Sequence, residues 1–283
     1  MKKVAVVILN FKVKDLTIKC LQSVQKSTYQ SVDIIVVDND SQDGIGGELC
    51  KFKDVKFIQN KDNLGYAGGN NVGIKYALNK KVDYVFVLNP DTTIDKKAIE
   101  NLLKSSEKES AQVSGPKIFL GNSKTIWYAG GIFDTENVLG IHRGVDEKDQ
   151  GQYDSSVETD YITGAALFVS GEVFERVGLF DEDYFLYYED MDFCLRVKDS
   201  GFKIMYFPQA VVYHHNAKSA GLGSPLQDYY ITRNRMLLAS KCLSFRTRFS
   251  LFREALRNIT NPTRRLALFD FLMGNFGKGS FVQ

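Results

Sequence analysis

Residues 34–41 read Ile34-Ile35-Val36-Val37-Asp38-Asn39-Asp40-Ser41. Four β-branched residues are followed by four polar ones, two of them carboxylates. A run that is apolar at every position, rather than at alternate ones, predicts a short strand buried on both faces of a parallel sheet. The unit recurs. Residues 4–9 lead into Asn10-Phe11, residues 55–58 into Asn60 to Asn63, and residues 84–88 into Asn89-Pro90-Asp91. Between these runs the spacing turns helical. Leu16, Cys20 and Val24 recur every four residues with Leu21 beside them, residues 71–78 form a similar short stretch, and Ile99, Leu102 and Leu103 line one face of 96–108. Strand–helix alternation predicts a parallel sheet with helices on both faces. Ligands of such sheets bind beyond the carboxyl ends of the strands. One polar strand end is ordinary loop or cap chemistry; four on one edge predict a site.

Composition bounds the alternatives. The chain has 283 residues, 44% hydrophobic and 25% charged, with only 5 prolines. That excludes a disordered, collagen-like or mucin-like chain and leaves one large α/β domain or about two smaller ones. The net charge of +2 is too balanced for nucleic-acid binding across the whole surface, but it is unevenly divided. From Lys241 onward eight Lys or Arg face only Glu254 and Asp270, a surplus of six, so the first 240 residues carry an excess of four negative charges. Cys20, Cys50, Cys194 and Cys242 form no CxxC pair, which disfavours a zinc ribbon or redox motif and predicts buried, reduced thiols. The start, MKKVAVVILNFK, begins like a signal peptide, but its six-residue apolar stretch is too short for one. No run approaches the ~18 apolar residues of a membrane span. The expectation is a cytoplasmic chain that is soluble or lies on a membrane face.

Further along, residues 63–73 carry four glycines, Gly65, Gly68, Gly69 and Gly73, ahead of the expected helix. Glycines let backbone N–H groups approach a ligand, and a helix start favours anions. The pattern is neither GxGxxG nor Walker A, which disfavours redox cofactors and P-loop chemistry. Residues 120–160 are glycine-rich and irregular, and 161–169 reads as a strand. Residues 180–196 then hold six acids among tyrosines and phenylalanines. Helical spacing runs from about Glu189 to a Gly201 stop, placing Glu189 and Asp190 in the first turn, where the helix dipole favours carboxylates. Capping accounts for one of those acids and not for the cluster. Residues 211–215 read as a strand, so of His214 and His215 at most one points into the site. With three histidines in the chain, a mainly histidine site is excluded. One His, one Asp and phosphate oxygens suffice for Mg²⁺ or Mn²⁺.

Taken in order, ILNF, VDNDSQD, NLGYAGGNNVG, LNPD, TGAALFV, GLFDEDYFLYYEDMDFCLRVKDSGF and VVYHH with Ser219 following resemble the inverting, nucleotide-sugar-dependent glycosyltransferases of family 2, in their rhamnosyltransferase-like branch. The resemblance spans residues 3 to about 220. It implies the GT-A fold, a Rossmann-like, mostly parallel central sheet flanked by helices, as a catalytic domain of residues 1–240. It implies a nucleotide-sugar donor (a dTDP- or UDP-sugar), a glycan or polyprenyl-linked acceptor, and Mg²⁺ or Mn²⁺. By position, Asp38 and Asn39 match base-reading residues, with Asn10 and Ser41 on the same edge. Gly69 and Asn71 match positions near the ribose and diphosphate. Asn89-Pro90-Asp91 stands where many relatives have Asp-x-Asp, so Asp91 matches the metal contact and Asn89 departs from the pattern, implying a weaker metal site. His214 matches a histidine that holds metal or diphosphate, and Asp190 the catalytic base. Glu189 and Asp192 either orient the acceptor or cap and solvate; Trp127 either stacks on sugar or fills core.

Residues 241–283 form the expected helical appendage. Phe245, Phe249, Phe252, Leu256 and Ile259 recur as one amphipathic stripe, with Arg246, Arg248, Arg253 and Arg257 at other positions and a break at Asn261-Pro262. Two readings stand: helices packed on the body, or attachment to an anionic inner leaflet, with nucleic-acid contact the weakest. Two other functions compete with sugar transfer. A catalytically weak, nucleotide-sugar-binding assembly subunit is motivated by Asn89. A nucleotidyltransferase expects a glycine-rich N-terminal loop with a basic residue, which ILNFKVKDL lacks. An oligomer is compatible with all of them.

Overall fold

A computed structural model describes residues 1–215 and 223–281; Ser219 of the family-like pattern lies outside the described residues. The first half is the expected alternation: β1 Val4–Asn10, α1 Lys14–Gln25, β2 Val32–Asp38, α2 Ile45–Leu49, β3 Val55–Gln59, α3 Gly65–Asn79, β4 Tyr84–Leu88, β5 Thr92–Ile94 and α4 Ala98–Glu109. It continues with β6 Val113–Leu120, β7 Ile126–Tyr128, β8 Gly131–Asp134, β9 Leu139–His142, β10 Val157–Glu158, β11 Ala166–Ser170, α5 Gly171–Val177, α6 Glu189–Asp199 and β12 Ile204–His214. Helices α7 Pro225–Cys242, α8 Phe245–Arg257 and α9 Pro262–Met273 follow.

The main sheet runs β10-β12-β6-β11-β4-β1-β2-β3, with β5 on β12 and β7 on β6. The β4-β1-β2-β3 part is parallel, and all seven residues of β1 are buried, as an all-apolar strand requires. The chain leaves β1 toward β2 and β3, then returns to its other side with β4. That reversal puts the topological switch point between β1 and β4, where a crevice opens beyond the strand ends. Antiparallel β11 then carries the sheet on to β6 and β12; β8 and β9 form a separate hairpin.

Three expectations change here. Helix α3 begins at Gly65 rather than near Asn71, so Gly68, Gly69 and Gly73 lie inside it. Their use is close packing: a Cβ on Gly69 would stand 2.6 Å from Leu9 Cδ1 and one on Gly73 2.5 Å from Val7 Cγ1. Strand β11 starts at Ala166, because residues 163–165 form a turn that serves the site. All four cysteines are free, but only Cys20 and Cys194 are buried.

The boundary expected at residue 240 falls inside α7. Helix α9 and the segment after it pack back on α7. Asp270, 2% exposed, accepts from the Tyr229 hydroxyl, Asn275 and Ser280. Asn261 caps α9, accepting from Thr263 N–H at 2.9 Å, with Pro262 in the first turn. Most of the amphipathic stripe faces outward, though Phe252 is half-buried and packs on the core. Phe245 is 80% exposed and Phe249 52%, while the buried residues of α8 are Leu251 and Ala255. No helix among the described residues is long and apolar enough to cross a membrane.

Candidate active site

The strand ends converge as the edge argument requires. Asn10, Asp38 and Gln59 end β1, β2 and β3 in register, and the two amides donate to the Asp38 carboxylate between them. Asn10 Nδ2 donates to Asp38 Oδ1 at 2.7 Å, Gln59 Nε2 to Oδ2 at 2.8 Å, and Ser41 N–H to Oδ2 at 3.1 Å. The Ser41 hydroxyl also donates to Asp38. Burial opposes ionisation of Asp38, yet the bonds from Ser41, Asn10 and Gln59 outweigh it and hold its carboxyl below the ordinary value. Thr17 fixes the far side of Asn10, donating to Oδ1 at 2.7 Å. Asn39, 1% exposed, donates to Asn63 Oδ1 and Gly65 O and accepts from Asn60 Nδ2 and Leu64 N–H. The expected edge residues Asn10, Asp38, Asn39 and Ser41 are thus one network. Gln59 and Thr17 were missed by sequence reasoning; Gln59 could have been found as the residue opposite Asp38 once strands 2 and 3 are aligned.

Gly69 adjoins that edge, since a Cβ there would stand 3.0 Å from Asn39 Nδ2; Asn71 bonds elsewhere. Gly69 is the close contact of α3 with β1 described above. Asn71 donates to Phe180 O at 2.9 Å and accepts from Phe180 N–H at 3.1 Å. It pins the acidic segment to α3 and is 1% exposed, with its amide bonded to the Phe180 backbone. The first-turn N–H groups of α3 are occupied as well, Tyr66 and Ala67 both donating to Phe185 O.

Beyond β4 the chain turns through Asn89-Pro90-Asp91 into β5, whose pairing with β12 sets His214 opposite Thr92. His214 and Asp91, 123 positions apart, meet at 3.0 Å between Nε2 and Oδ1. A carboxylate only accepts, so Nε2 carries the proton. Nδ1 of His214 is buried with no partner, and so is Oδ1 of Asn89. The orphaned amide oxygen of Asn89, two positions from Asp91, suits a cation, since it otherwise loses solvation for nothing. His214 would meet an ion on Asp91 through Nε2, in place of their hydrogen bond, because Nδ1 points to the other side of the ring. No group of three or more His, Cys, Asp or Glu among the described residues forms a metal cluster. The available set is Asp91, His214 and the Asn89 amide oxygen, which fits a hard divalent ion that keeps water or phosphate ligands. Trp127 lies edge-to-face 4.4 Å from both His214 and His142, so it belongs to this end of the sheet. Burial pushes His142 down to about 4, so it is neutral. His215 faces away and meets Thr93 Oγ1 at 2.8 Å, as strand alternation predicts.

The acidic segment supplies the third part. Asp190, at the start of α6, accepts from Gly164 N–H at 2.7 Å and Met191 N–H at 2.8 Å. The next residue of the same turn, Ala165, accepts from Asn89 N–H at 3.0 Å. Residues 163–165 therefore tie Asp190 to the Asn89–Asp91 turn. Burial raises the carboxyls of Asp190 and Glu189 above the ordinary range, Glu189 further because Asp190 stands next to it. Asp192 has a structural task, accepting from Arg196 Nε at 2.8 Å and Tyr184 OH at 3.1 Å.

Comparison with known proteins identifies the family and the fold. Residues 5–171, more than half of the chain, match the model of glycosyl transferase family 2. The chain is 28% identical over 218 residues to the low-salt glycan biosynthesis hexosyltransferase Agl10 of Haloferax volcanii, covering 75% of this chain and 68% of that protein. It is 29% identical over 224 residues to the dTDP-rhamnosyl transferase RfbF of Shigella flexneri, covering 75% and 72%. Among solved structures, GalNAc-T7 with UDP, GalNAc and Mn²⁺ superposes with a TM-score of 0.65 at 16% identity, over 92% of this chain and 57% of that one. The fold is GT-A, and the chain belongs to glycosyl transferase family 2, among its rhamnosyltransferase-like members.

Proposed function

We propose that the chain is an inverting glycosyltransferase that moves a hexose or deoxyhexose from a nucleoside diphosphate to a hydroxyl of a cell-surface polysaccharide or a polyprenyl-linked acceptor. The name of the Shigella relative makes dTDP-rhamnose the donor to test first and UDP-sugars the next. The observation that carries the reading is the turn at 163–165, bonded to Asp190 on one side and to Asn89 on the other. It brings a carboxylate beside the strand edge where a nucleotide sugar would lie.

In this reading Asn10, Asp38, Asn39 and Ser41 hold the nucleoside. Asp190 takes the acceptor's hydroxyl proton as its oxygen attacks the anomeric carbon opposite the leaving group, through an oxocarbenium-like transition state. Burial raises its carboxyl above the ordinary range, which makes the ionised form a stronger base. The two backbone N–H groups on Asp190 fix its direction. Mg²⁺ or Mn²⁺, held by Asp91, His214 and the Asn89 oxygen, would offset charge on the departing diphosphate.

A thermal-shift and hydrolysis screen of dTDP-, UDP- and GDP-sugars, with and without Mg²⁺ or Mn²⁺, tests this. At least one nucleotide sugar should stabilise the protein, more so with metal; silence from all of them overturns the enzyme reading. Asn89 favours the second reading, an assembly subunit that binds donor without transferring it. Asp190→Asn separates the two: donor binding retained with transfer lost supports the base, whereas a wild type that binds but never transfers supports the subunit.

The outward stripe of α8 supports attachment at the anionic inner face of the cell membrane. Phe245, Phe249, Leu256 and Ile259 are exposed beside Arg246, Arg253 and Arg257, a pairing suited to anionic lipid. Co-sedimentation with phosphatidylglycerol vesicles should fall when Phe245 and Phe249 become Ser, and fall with added salt. Equal binding to neutral vesicles, or none at all, removes the proposal.

A further inference from the structure

The segment that delivers Asp190 is strained. Phe185, Tyr187 and Tyr188 have φ of 60°, 69° and 75°, where side chains other than glycine's crowd the backbone. Phe185 sits at the centre of a γ-turn closed by Leu186 N–H donating to Tyr184 O at 2.6 Å, the rare positive-φ form. Such backbone persists only where its surroundings over-determine it.

The surroundings that do so come from α7, outside the residues matched by the family model. Asn234 Nδ2 donates to Tyr184 O, Leu186 O and Tyr187 O at 2.9, 2.9 and 2.8 Å. Arg233 Nη2 donates to Asp183 O and Tyr184 O, both at 3.2 Å, and Arg233 Nε holds Asn234 Oδ1 at 3.0 Å. Both side chains are fully buried. The guanidinium lies over the rings of Tyr229 and Tyr230, and Tyr230 stacks on Phe185 at 5.4 Å. On the other side the Phe185 carbonyl meets α3, where a Cβ on Gly65 would collide with it. A buried Arg on a helix is costly to keep; here Nη2 is spent on two carbonyls of the strained turn and Nε on the Asn234 amide that holds three, while Nη1 reaches Asn275 O.

We infer that Arg233 and Asn234 are positioning residues for sugar transfer, a clamp that holds residues 183–187 in their strained path and so aims Asp190. This rests on the reading of Asp190 as the base. The clamp acts on the chemical step, and neither Arg233 nor Asn234 bonds the nucleoside edge built on β1, β2 and β3.

The test measures hydrolysis of whichever of dTDP-rhamnose, UDP-glucose or GDP-mannose the wild-type chain cleaves fastest, with water as the acceptor, in Asn234→Ala, Arg233→Lys and Asp190→Asn. Asn234→Ala should lower kcat about 100-fold and Arg233→Lys about 10-fold, with donor KM within threefold of wild type and a single cooperative melt. The acid limb of kcat should also move to lower pH, because a loosened turn admits water to the Glu189–Asp190 pair. Tyr66, Tyr128, Tyr161, Tyr187, Tyr188 and Cys194 face that pair, and burial holds each above its ordinary value, so none of them titrates in that range; the Asp192 carboxylate also acts on Glu189. Unchanged kcat and acid limb in both variants overturn the clamp. So do parallel losses of kcat, donor affinity and melting temperature, or failure of both variants to fold, since these mark a merely structural pair. Should Asp190→Asn keep wild-type kcat, the base reading fails instead, whatever the other two variants do.

Discussion

Asp38 and Glu189 are both buried carboxyls, yet their neighbours push them in opposite directions. Asp38 has donors on every side, so its folded pKa lies below its unfolded value of about 3.9. Its stabilisation is present above that value and is lost as pH falls through the lowered folded pKa. Asp38→Asn replaces an acceptor of four hydrogen bonds with an amide and should cost about 1.5–3 kcal/mol at pH 7, read by denaturant unfolding. Glu189 has an orphaned Oε2 and a raised pKa, so the folded state prefers it protonated. Stability from that preference is complete below about pH 4.3 and declines as pH climbs toward the raised folded value. Glu189→Gln should therefore melt higher than wild type at pH 8 and show a smaller gain at pH 5; a gain that grows toward low pH contradicts this. The acids themselves were legible in the sequence as a cluster too dense for capping. Which one is networked, orphaned or aimed was not, because those properties belong to the neighbours.

At the scale of elements, helix α3 shows why periodicity stopped short. Apolar spacing finds a helix only where apolar side chains mark its face. The first turns of α3 carry glycines instead: Gly69 and Gly73 lie too close to β1 and β2 for a Cβ, and Gly65 too close to Phe185. Gly73→Ala sets a helix-propensity gain of about 1 kcal/mol against overpacking on Val7 of about 1–3 kcal/mol, so the variant should be less stable. Gly47→Ala in α2, with open space around the new Cβ and no positive φ, should be more stable by about 0.4–1 kcal/mol. Chemical denaturation of the two variants checks both signs. The turn at 163–165 was read as strand for a related reason: Ile162, Ala165 and Ala166 are as apolar as β11 itself. Nothing local announces that Gly164 N–H is pledged to a carboxylate 26 positions away.

For the whole molecule, the charge asymmetry begins near residue 241, inside α7. Tyr229, Arg233 and Tyr230 on α7 bond to Asp270, Asn275 and Lys278 beyond it, and Gly277 N–H donates to Asp183 O at 2.8 Å. A chain ending at residue 240 should therefore be destabilised or insoluble rather than a functional core, as expression and thermal melting would show. An unchanged melting temperature would restore the appendage picture. Point changes on the exposed stripe of α8, by contrast, should leave the melting temperature within about 2 °C, because such surface substitutions fall within about ±0.5 kcal/mol.

What the sequence determined by itself is the α/β alternation, the ligand edge and the acidic segment. Each is written in contiguous residues whose burial or polarity is a local property. Tertiary structure alone decided three things: that His214 meets Asp91, that Asn71 bonds the Phe180 backbone, and that Arg233 and Asn234 grip the turn before Asp190. Those pairings join positions about 50 to 120 residues apart. They depend on strand register and helix docking, which are set by how the whole core packs and which no stretch of sequence encodes alone.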